Sequence, residues 1–228
     1  MVNRKQHYNE HEKYWSGNPP LTQSLRMPNY SAFRKRLDWV LKHAEGRVLD
    51  CGCNDGAFTL ELVKKGHEAV GVDILPVNIN RALDNMPDIP EVTTKLDYYV
   101  ADIESLPFED GEFETVVITE TLEHLIHPRR GLEEVHRVLK DGGKALISVP
   151  NGDDRQPTHY NTFNIAGLQE IMQDLFTTES LESDFGTIYI VARKKGGEVR
   201  RMLELRQKRP VGVPVRNIKP RRTTRQGV

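Results

Sequence analysis

Two stretches of the sequence combine residue types and spacing that could do chemistry. The first is VLDCGCNDGAF, residues 48–58, an apolar run that ends in Asp50 and then breaks into Gly52 and Gly56 around Cys53, Asn54 and Asp55. Its glycine spacing is not the G-x-G-x-x-G of dinucleotide folds, and no Gly-Lys-Ser/Thr follows for a P-loop. Carboxylates at 50 and 55 would repel phosphate, so the loop favours a ligand that is cationic where it meets these acids. The second stretch is ETLEH, where Glu120, Glu123 and His124 stand at i, i+3 and i+4. That spacing puts all three on one face of a helical turn, where two carboxylates and an imidazole can ligate one divalent ion. The alternative is a solvated, self-paired turn in which only Leu122 and Leu125 pack.

Strand ends and loops must hold these residues, and the hydrophobic periodicity supplies them. Tyr30, Phe33, Leu37, Val40, Leu41 and Ala44 follow helical spacing ahead of the first strand. Strands are predicted at Val48 to Cys51, Ala69 to Asp73, Tyr98 to Ala101, Phe113 to Ile118 and Ala145 to Val149. Helices are predicted over about Phe58 to Lys65, Pro76 to Asn85, Arg130 to Leu139 and Ile165 to Asp174, with only a Pro-rich loop before Tyr98. Two last β-like runs, Phe176 to Leu181 and Thr187 to Ala192, read as a hairpin. The alternation predicts an α/β fold: a Rossmann-like, doubly wound, mostly parallel seven-stranded sheet with an antiparallel edge hairpin.

In such a sheet ligands sit beyond the carboxyl ends of the strands, and the loop after the first strand is the usual cradle. The second strand ends in Asp73, placed to accept hydrogen bonds from both hydroxyls of a ribose. The third ends in Ala101-Asp102-Ile103, an acid beside an apolar residue, suited to hold an adenine by its amino group and its face. Cation, ribose and adenine together describe S-adenosylmethionine. Asp50 and Asp73 could instead merely cap strand or helix ends.

At 228 residues, 37% hydrophobic and 29% charged, the chain predicts one core with appendages. There is no apolar stretch near the roughly 18 residues a membrane span needs and no signal peptide in the polar start, so a soluble, cytoplasmic protein with no membrane partner is expected. The only cysteines, Cys51 and Cys53, are two apart at a strand end. They are expected to stay unbridged, as small packed residues. Net charge is −1, yet Arg193 to Val228 carries 13 Lys and Arg against 2 acids, leaving −12 on residues 1–192. Three parts follow: a polar leader over 1–28, a cofactor-binding domain over 29–195, and a basic tail over 196–228 interrupted by Pro210, Pro214 and Pro220. The segment EVRRMLELRQKR of the tail could form one more helix, and the prolines beyond it preclude regular structure.

In order and spacing, VLDCGCNDGAF, AVGVDI, VADIESLPF and RVLKDGGKALISVPN resemble motifs of the Rossmann-like (class I) S-adenosylmethionine-dependent methyltransferases. The resemblance covers about Arg47 to Lys194. It implies that Asp50, Gly52 and Cys53 line the methionine end, Asp73 and Ile74 the ribose, and Asp102 and Ile103 the adenine, with Gly56 and Thr119 also among the cofactor-binding positions. Asn54 stands where the family usually has a third loop glycine. ETLEH is similar to the corresponding turn of the ubiquinone-pathway O-methyltransferases and of the enzymes that 2′-O-methylate small silencing RNAs. In the RNA group a later histidine completes a metal site, which makes His159 the fourth candidate ligand beside Glu120, Glu123 and His124.

Both cysteines lie in the cofactor loop, which excludes the cysteine-nucleophile route of C5-cytosine methylation. The Asn/Asp-Pro-Pro-Tyr/Phe turn of amino-methylating DNA enzymes is replaced by ITETLEHLIHP. O-methylation of a small-molecule hydroxyl is expected, with His124 or His159 as base or with Mg²⁺ or another divalent metal at ETLEH. The leader is expected to cover the cleft. Alternatives are an RNA 2′-O-methyltransferase using the tail against the phosphate backbone, and a non-catalytic cofactor-fold protein whose tail is an oligomer-forming arm.

Overall fold

The computed structural model describes residues 6, 9–13, 31–152, 156–184, 186–196 and 215–216. Five strands build the parallel part of one sheet: β1 (Val48–Cys51), β2 (Ala69–Asp73), β3 (Leu96–Val100), β4 (Phe113–Thr119) and β5 (Leu139–Pro150). β1 and β2 are buried at every position, as expected of strands covered on both faces. β6 (Phe176–Asp184) and β7 (Thr187–Lys194) close one edge as an antiparallel hairpin, with Ser148 of β5 opposite Tyr189 of β7. Val215–Arg216 forms a two-residue β8 antiparallel to β3, so the order is β6-β7-β5-β4-β1-β2-β3-β8.

The seven expected strands are therefore present in the expected arrangement. Regular structure from Pro210 onward was not expected; one short antiparallel pairing is tolerated there because an edge strand needs few donors. The proposed tail helix EVRRMLELRQKR lies outside the described residues. The Pro-rich loop before β3 contains a short helix, α4 (Pro90–Thr93), whose proline sits in the first turn where no amide partner is lost. β5 starts six residues earlier than the apolar run suggested, because the polar turn around Asp141 to Gly143 is held as an irregular strand end beside Phe113.

Helices α1 (Ser31–His43), α2 (Ala57–Lys64), α3 (Pro76–Asn85), α5 (Pro128–Val138) and α6 (Ile165–Met172) cover the sheet. One apolar cluster centres on Phe33, Leu37, Val40, Leu62, Ile79 and Leu146. The other centres on Phe113, Ile118, Leu122, Leu132, Leu139 and Ile147 on the opposite face. Burying these side chains fixes the strands in register, and with them the loops at their carboxyl ends. Among the described residues no helix is long and apolar enough to cross a membrane.

Candidate active site

The glycine loop is built so that its glycines cannot be replaced. Gly52 has φ +78°, and a Cβ there would stand 2.5 Å from Thr121 Oγ1. Gly56 has φ +77°, and a Cβ there would meet the Tyr98 hydroxyl at 2.2 Å. Asn54, at the usual third glycine, keeps the left-handed backbone with φ 50°, which Asn tolerates better than most side chains. The amides of Gly52 and Cys53 both donate to the Val72 carbonyl, at 2.8 and 2.9 Å, tying the loop to β2.

Asp73 completes that tie. Its Oδ2 accepts from Asn54 N at 3.0 Å, and its Oδ1 from Leu75 N at 2.9 Å and Asn78 Nδ2 at 3.2 Å. A carboxylate has about four acceptor sites, so one remains for a ligand hydroxyl and a second is gained by releasing the long Asn78 bond. Asn78 Oδ1 is itself buried with no hydrogen-bond partner among the described residues. An unused acceptor beside a nearly filled carboxylate is what a ribose diol would satisfy. Asp50 is buried and accepts from Thr59 Oγ1 at 2.7 Å. Burial pushes its pKa up to about 6, the Thr59 bond opposes this, and the charge of Asp73 adds to it. Burial also raises Asp73, against the pull of the donors around it, the Leu75 amide first. Two buried carboxylates held in a low-dielectric loop favour a cationic ligand.

Cys53 reaches this site through its backbone, since its thiol packs inward against Gly71. Burial raises the pKa of both Cys51 and Cys53, and both are unbridged thiols, as expected. Asp102 caps the 3₁₀ turn Ile103–Ser105 by accepting from Glu104 N at 2.8 Å, with Ile103 buried beneath. Thr119 ends β4, where its carbonyl accepts from Thr121 Oγ1 at 2.8 Å.

ETLEH departs from the expected geometry. The helical turn is a 3₁₀ turn over Leu122–His124, and Glu120 precedes it with φ 49°. Glu120 therefore leaves the shared face: its Oε1 accepts from Ser148 Oγ at 3.1 Å and its Oε2 pairs with Arg36 Nη1 at 3.5 Å. It is not grouped with the other three candidates. Glu123, His124 and His159 do converge, each offering a ligand atom within 4.8 Å of the others. His124 and His159 meet edge to face, with ring centroids 4.6 Å apart. Loop and turn are one unit, because the Glu123 carbonyl accepts from Tyr160 N at 2.9 Å and Asn161 N at 3.1 Å. His124 Nδ1 lies 2.9 Å from the Thr158 carbonyl. A carbonyl only accepts, so Nδ1 carries a proton, and in the neutral ring Nε2 is then the nitrogen with the lone pair.

Three contributors escaped the sequence reading. His11, in the helical residues 9–13, is buried with its ring 5.0 Å from that of His124. Glu10 Oε2 accepts from the Tyr160 hydroxyl at 2.7 Å; burial and this bond raise the Tyr160 pKa. Buried Glu104 accepts from His127 N at 2.8 Å, which fixes the start of α5 against the adenine-side turn. The expectation that the leader covers the cleft was the nearest hint of the first two.

Fold and loop together define a class I, Rossmann-like cofactor-binding domain. Residues 49–147 match the family model described as a methyltransferase domain. The chain is 30% identical over 146 residues to a ubiquinone biosynthesis O-methyltransferase of Dechloromonas aromatica, covering 61% of this chain and 59% of that one. It spans roughly half to three fifths of the curated relatives it matches. A crystal structure from Pyrococcus horikoshii OT3 superposes with TM-score 0.67 at 22% identity, over 80% of this chain and 99% of that one. The [4+2]-cyclase SpnF superposes equally well, TM-score 0.67 at 20% identity over 75% and 85%, so the fold alone does not specify a reaction. Over residues 49–147 the chain is thus similar to the S-adenosylmethionine-dependent methyltransferases of class I.

Proposed function

We propose that the protein methylates a hydroxyl group of a small molecule, with His124 as the general base. The observation that carries this is the His124 ring, held by Thr158 so that Nε2 has a lone pair to offer beside His159 and Glu123. S-adenosylmethionine, when bound, supplies an electrophilic methyl group on a sulfonium. Asp73 and Asn78 would hold its ribose, Asp102 and Ile103 its adenine, and the glycine loop its methionine end. A neutral hydroxyl is a weak nucleophile, so His124 Nε2 takes its proton as attack begins. Glu123 stabilises the imidazolium that results. The leader contributes through residues 9–13, where the Glu10–Tyr160 bond and the His11 ring close the histidine cluster from above, in the manner of a lid.

A second reading is favoured by the convergence of Glu123, His124 and His159. The three can hold a divalent ion that lowers the acceptor's pKa. Ligands sharing one ion of zinc size stand ~3.4 Å apart, so an ion would draw this set inward. Glu120 has no part in it.

The test is transfer of labelled methyl from S-adenosylmethionine into fractions of small molecules and of RNA, with and without chelator. Labelled small hydroxyl compounds, transfer indifferent to chelation, and a loss of about 10²- to 10⁴-fold in His124→Gln at unchanged cofactor affinity are expected for the base. Loss on chelation, restored by Mg²⁺, Mn²⁺ or Zn²⁺, would replace the base with the metal. Label confined to RNA would overturn the small-molecule acceptor.

A further inference from the structure

We infer that Arg36 is a specificity residue that selects an acceptor bearing a carboxylate. The idea rests on the methyl-transfer reading for the word acceptor, but the anion site stands on its own geometry. Arg36 lies on α1 with its side chain only 17% exposed. Among the described residues its guanidinium makes one polar contact, the 3.5 Å ion pair with Glu120. A guanidinium carries five N–H donors, and its charge-assisted bonds to carboxylates normally measure about 2.7–2.9 Å and often come in pairs. A largely covered arginine with one long contact is under-bonded, and a planar oxyanion is the group that matches its fork.

The position fits an acceptor. Glu120 follows β4, Ser148 lies near the carboxyl end of β5, and Tyr189 stands beside Ser148 on β7. Most cofactor positions stand at the ends of β1 to β3 and only Thr119 at the end of β4, which leaves the side of the β4–β5 end beyond Thr119 for the second substrate. Glu120 is one residue from Thr121, whose hydroxyl lies against Gly52. Tyr189 feels the charges of Arg36, Lys35 and Glu120 together, although burial is what chiefly raises its pKa. Lys35 is engaged with Asp184 and lies 5.5 Å over the Tyr189 ring, so it adds positive potential without being the anchor.

Glu120 reads as an internal stand-in for the missing carboxylate. Its backbone is in the left-handed region, φ 49°, which a non-glycine residue holds only under constraint. Its ion pair with Arg36 is long, and Ser148 holds its other oxygen. An incoming carboxylate takes the guanidinium face on, and Glu120 then competes with it.

Paired probes test this: 3,4-dihydroxybenzoate and glycerate, each beside its primary amide, titrated by calorimetry into the full chain saturated with S-adenosylhomocysteine. At least one acid should bind the wild type tenfold or more tightly than its amide. Arg36→Met should erase that difference, Arg36→Lys should keep part of it, and Glu120→Gln should widen it by removing the competing charge. S-adenosylhomocysteine affinity should be unchanged in all three. Equal binding of acid and amide by the wild type, or an acid preference that survives Arg36→Met, overturns the inference. If Arg36→Met does not fold, the opposite signs expected for Arg36→Lys and Glu120→Gln decide it. An Arg36-dependent acid preference in a chain that transfers no methyl group to a hydroxyl supports the anion site and overturns the proposed reaction instead.

Discussion

At the amino end of the strands, acids and bases meet in pairs at the surface: Arg47 with Glu112, Lys140 with Glu114, and Lys144 with Glu45. At the carboxyl end of the same sheet, Asp50 and Asp73 are buried and, among the described residues, have no cationic partner. The difference shows in their titration. For Glu114, burial pushes the pKa up but the Lys140 bond and the Arg47 amide outweigh it, and the carboxyl sits below its usual range. For Asp50 and Asp73 burial wins, and both sit above it. One end of the sheet pairs its carboxylates with cations, and the other holds them on neutral donors among the described residues. Exposed pairs of the first kind contribute little to stability, whereas burying carboxylates of the second kind on neutral donors alone has a desolvation cost that a bound cation would lower.

The strongest way to break this contrast is to disturb the carboxyl-end loop. Gly52→Ala adds a Cβ 2.5 Å from Thr121 Oγ1 at φ +78°, a strain and overlap of about 2–4 kcal/mol. Calorimetry should find S-adenosylhomocysteine binding reduced by two orders of magnitude or more, with a lowered melting temperature. Asp73→Asn comes next. It keeps the shape but loses the charge and half of the acceptors that serve Asn54, Leu75 and Asn78. A loss of about 1.5–3 kcal/mol in cofactor affinity is expected, and a Kd within twofold of the wild type would remove Asp73 from the ribose site.

The pH dependence sharpens the comparison. From about pH 6 down towards 4 the folded chain holds a proton on Asp50 that the unfolded chain takes up only near 3.8, so acidification through this window favours folding. His136 acts in the opposite direction. Burial chiefly lowers its pKa to about 4, against its bond to the Lys195 carbonyl, so below pH 6.5 the unfolded chain gains a proton that the folded chain refuses. The two slopes offset, and the wild-type melting temperature should vary by only a few degrees between pH 4.5 and 6.5. Asp50→Asn should leave the His136 slope exposed, with stability falling on acidification; a melting curve as flat as the wild type's would contradict the buried-carboxylate account. The smallest effect belongs to the amino end. Lys140→Met should change stability by less than about 1 kcal/mol in denaturant titrations and leave cofactor binding untouched.

The same contrast explains what the sequence made legible. Strand and helix alternation follows from burial on both faces of the sheet, and burial is written in apolar periodicity. The glycines at 52 and 56 could be read as a ligand loop because their backbone angles exclude most other residues. Within ETLEH only Glu120 was misplaced, because i, i+3, i+4 spacing presumes an α-helical turn already under way there, and the turn starts two residues later. His11, Glu10 and Arg36 could not be assigned to the site from sequence. They reach it through the packing of segments more than eighty residues distant from ETLEH, which no local pattern encodes.

The contact between Gly52 and Thr121 has an evolutionary consequence. The Thr121 hydroxyl and methyl occupy the volume that a side chain at 52 would need, at 2.5 and 2.7 Å, so a change at 52 requires one at 121, while a change at 121 makes no demand on 52. A smaller residue at 121 relieves the overlap but not the left-handed backbone, so a double substitution recovers only part of what Gly52→Ala loses. Descendants of this sequence should therefore sample residue 121 freely while residue 52 stays fixed, a one-way constraint that covariation between the two columns would understate.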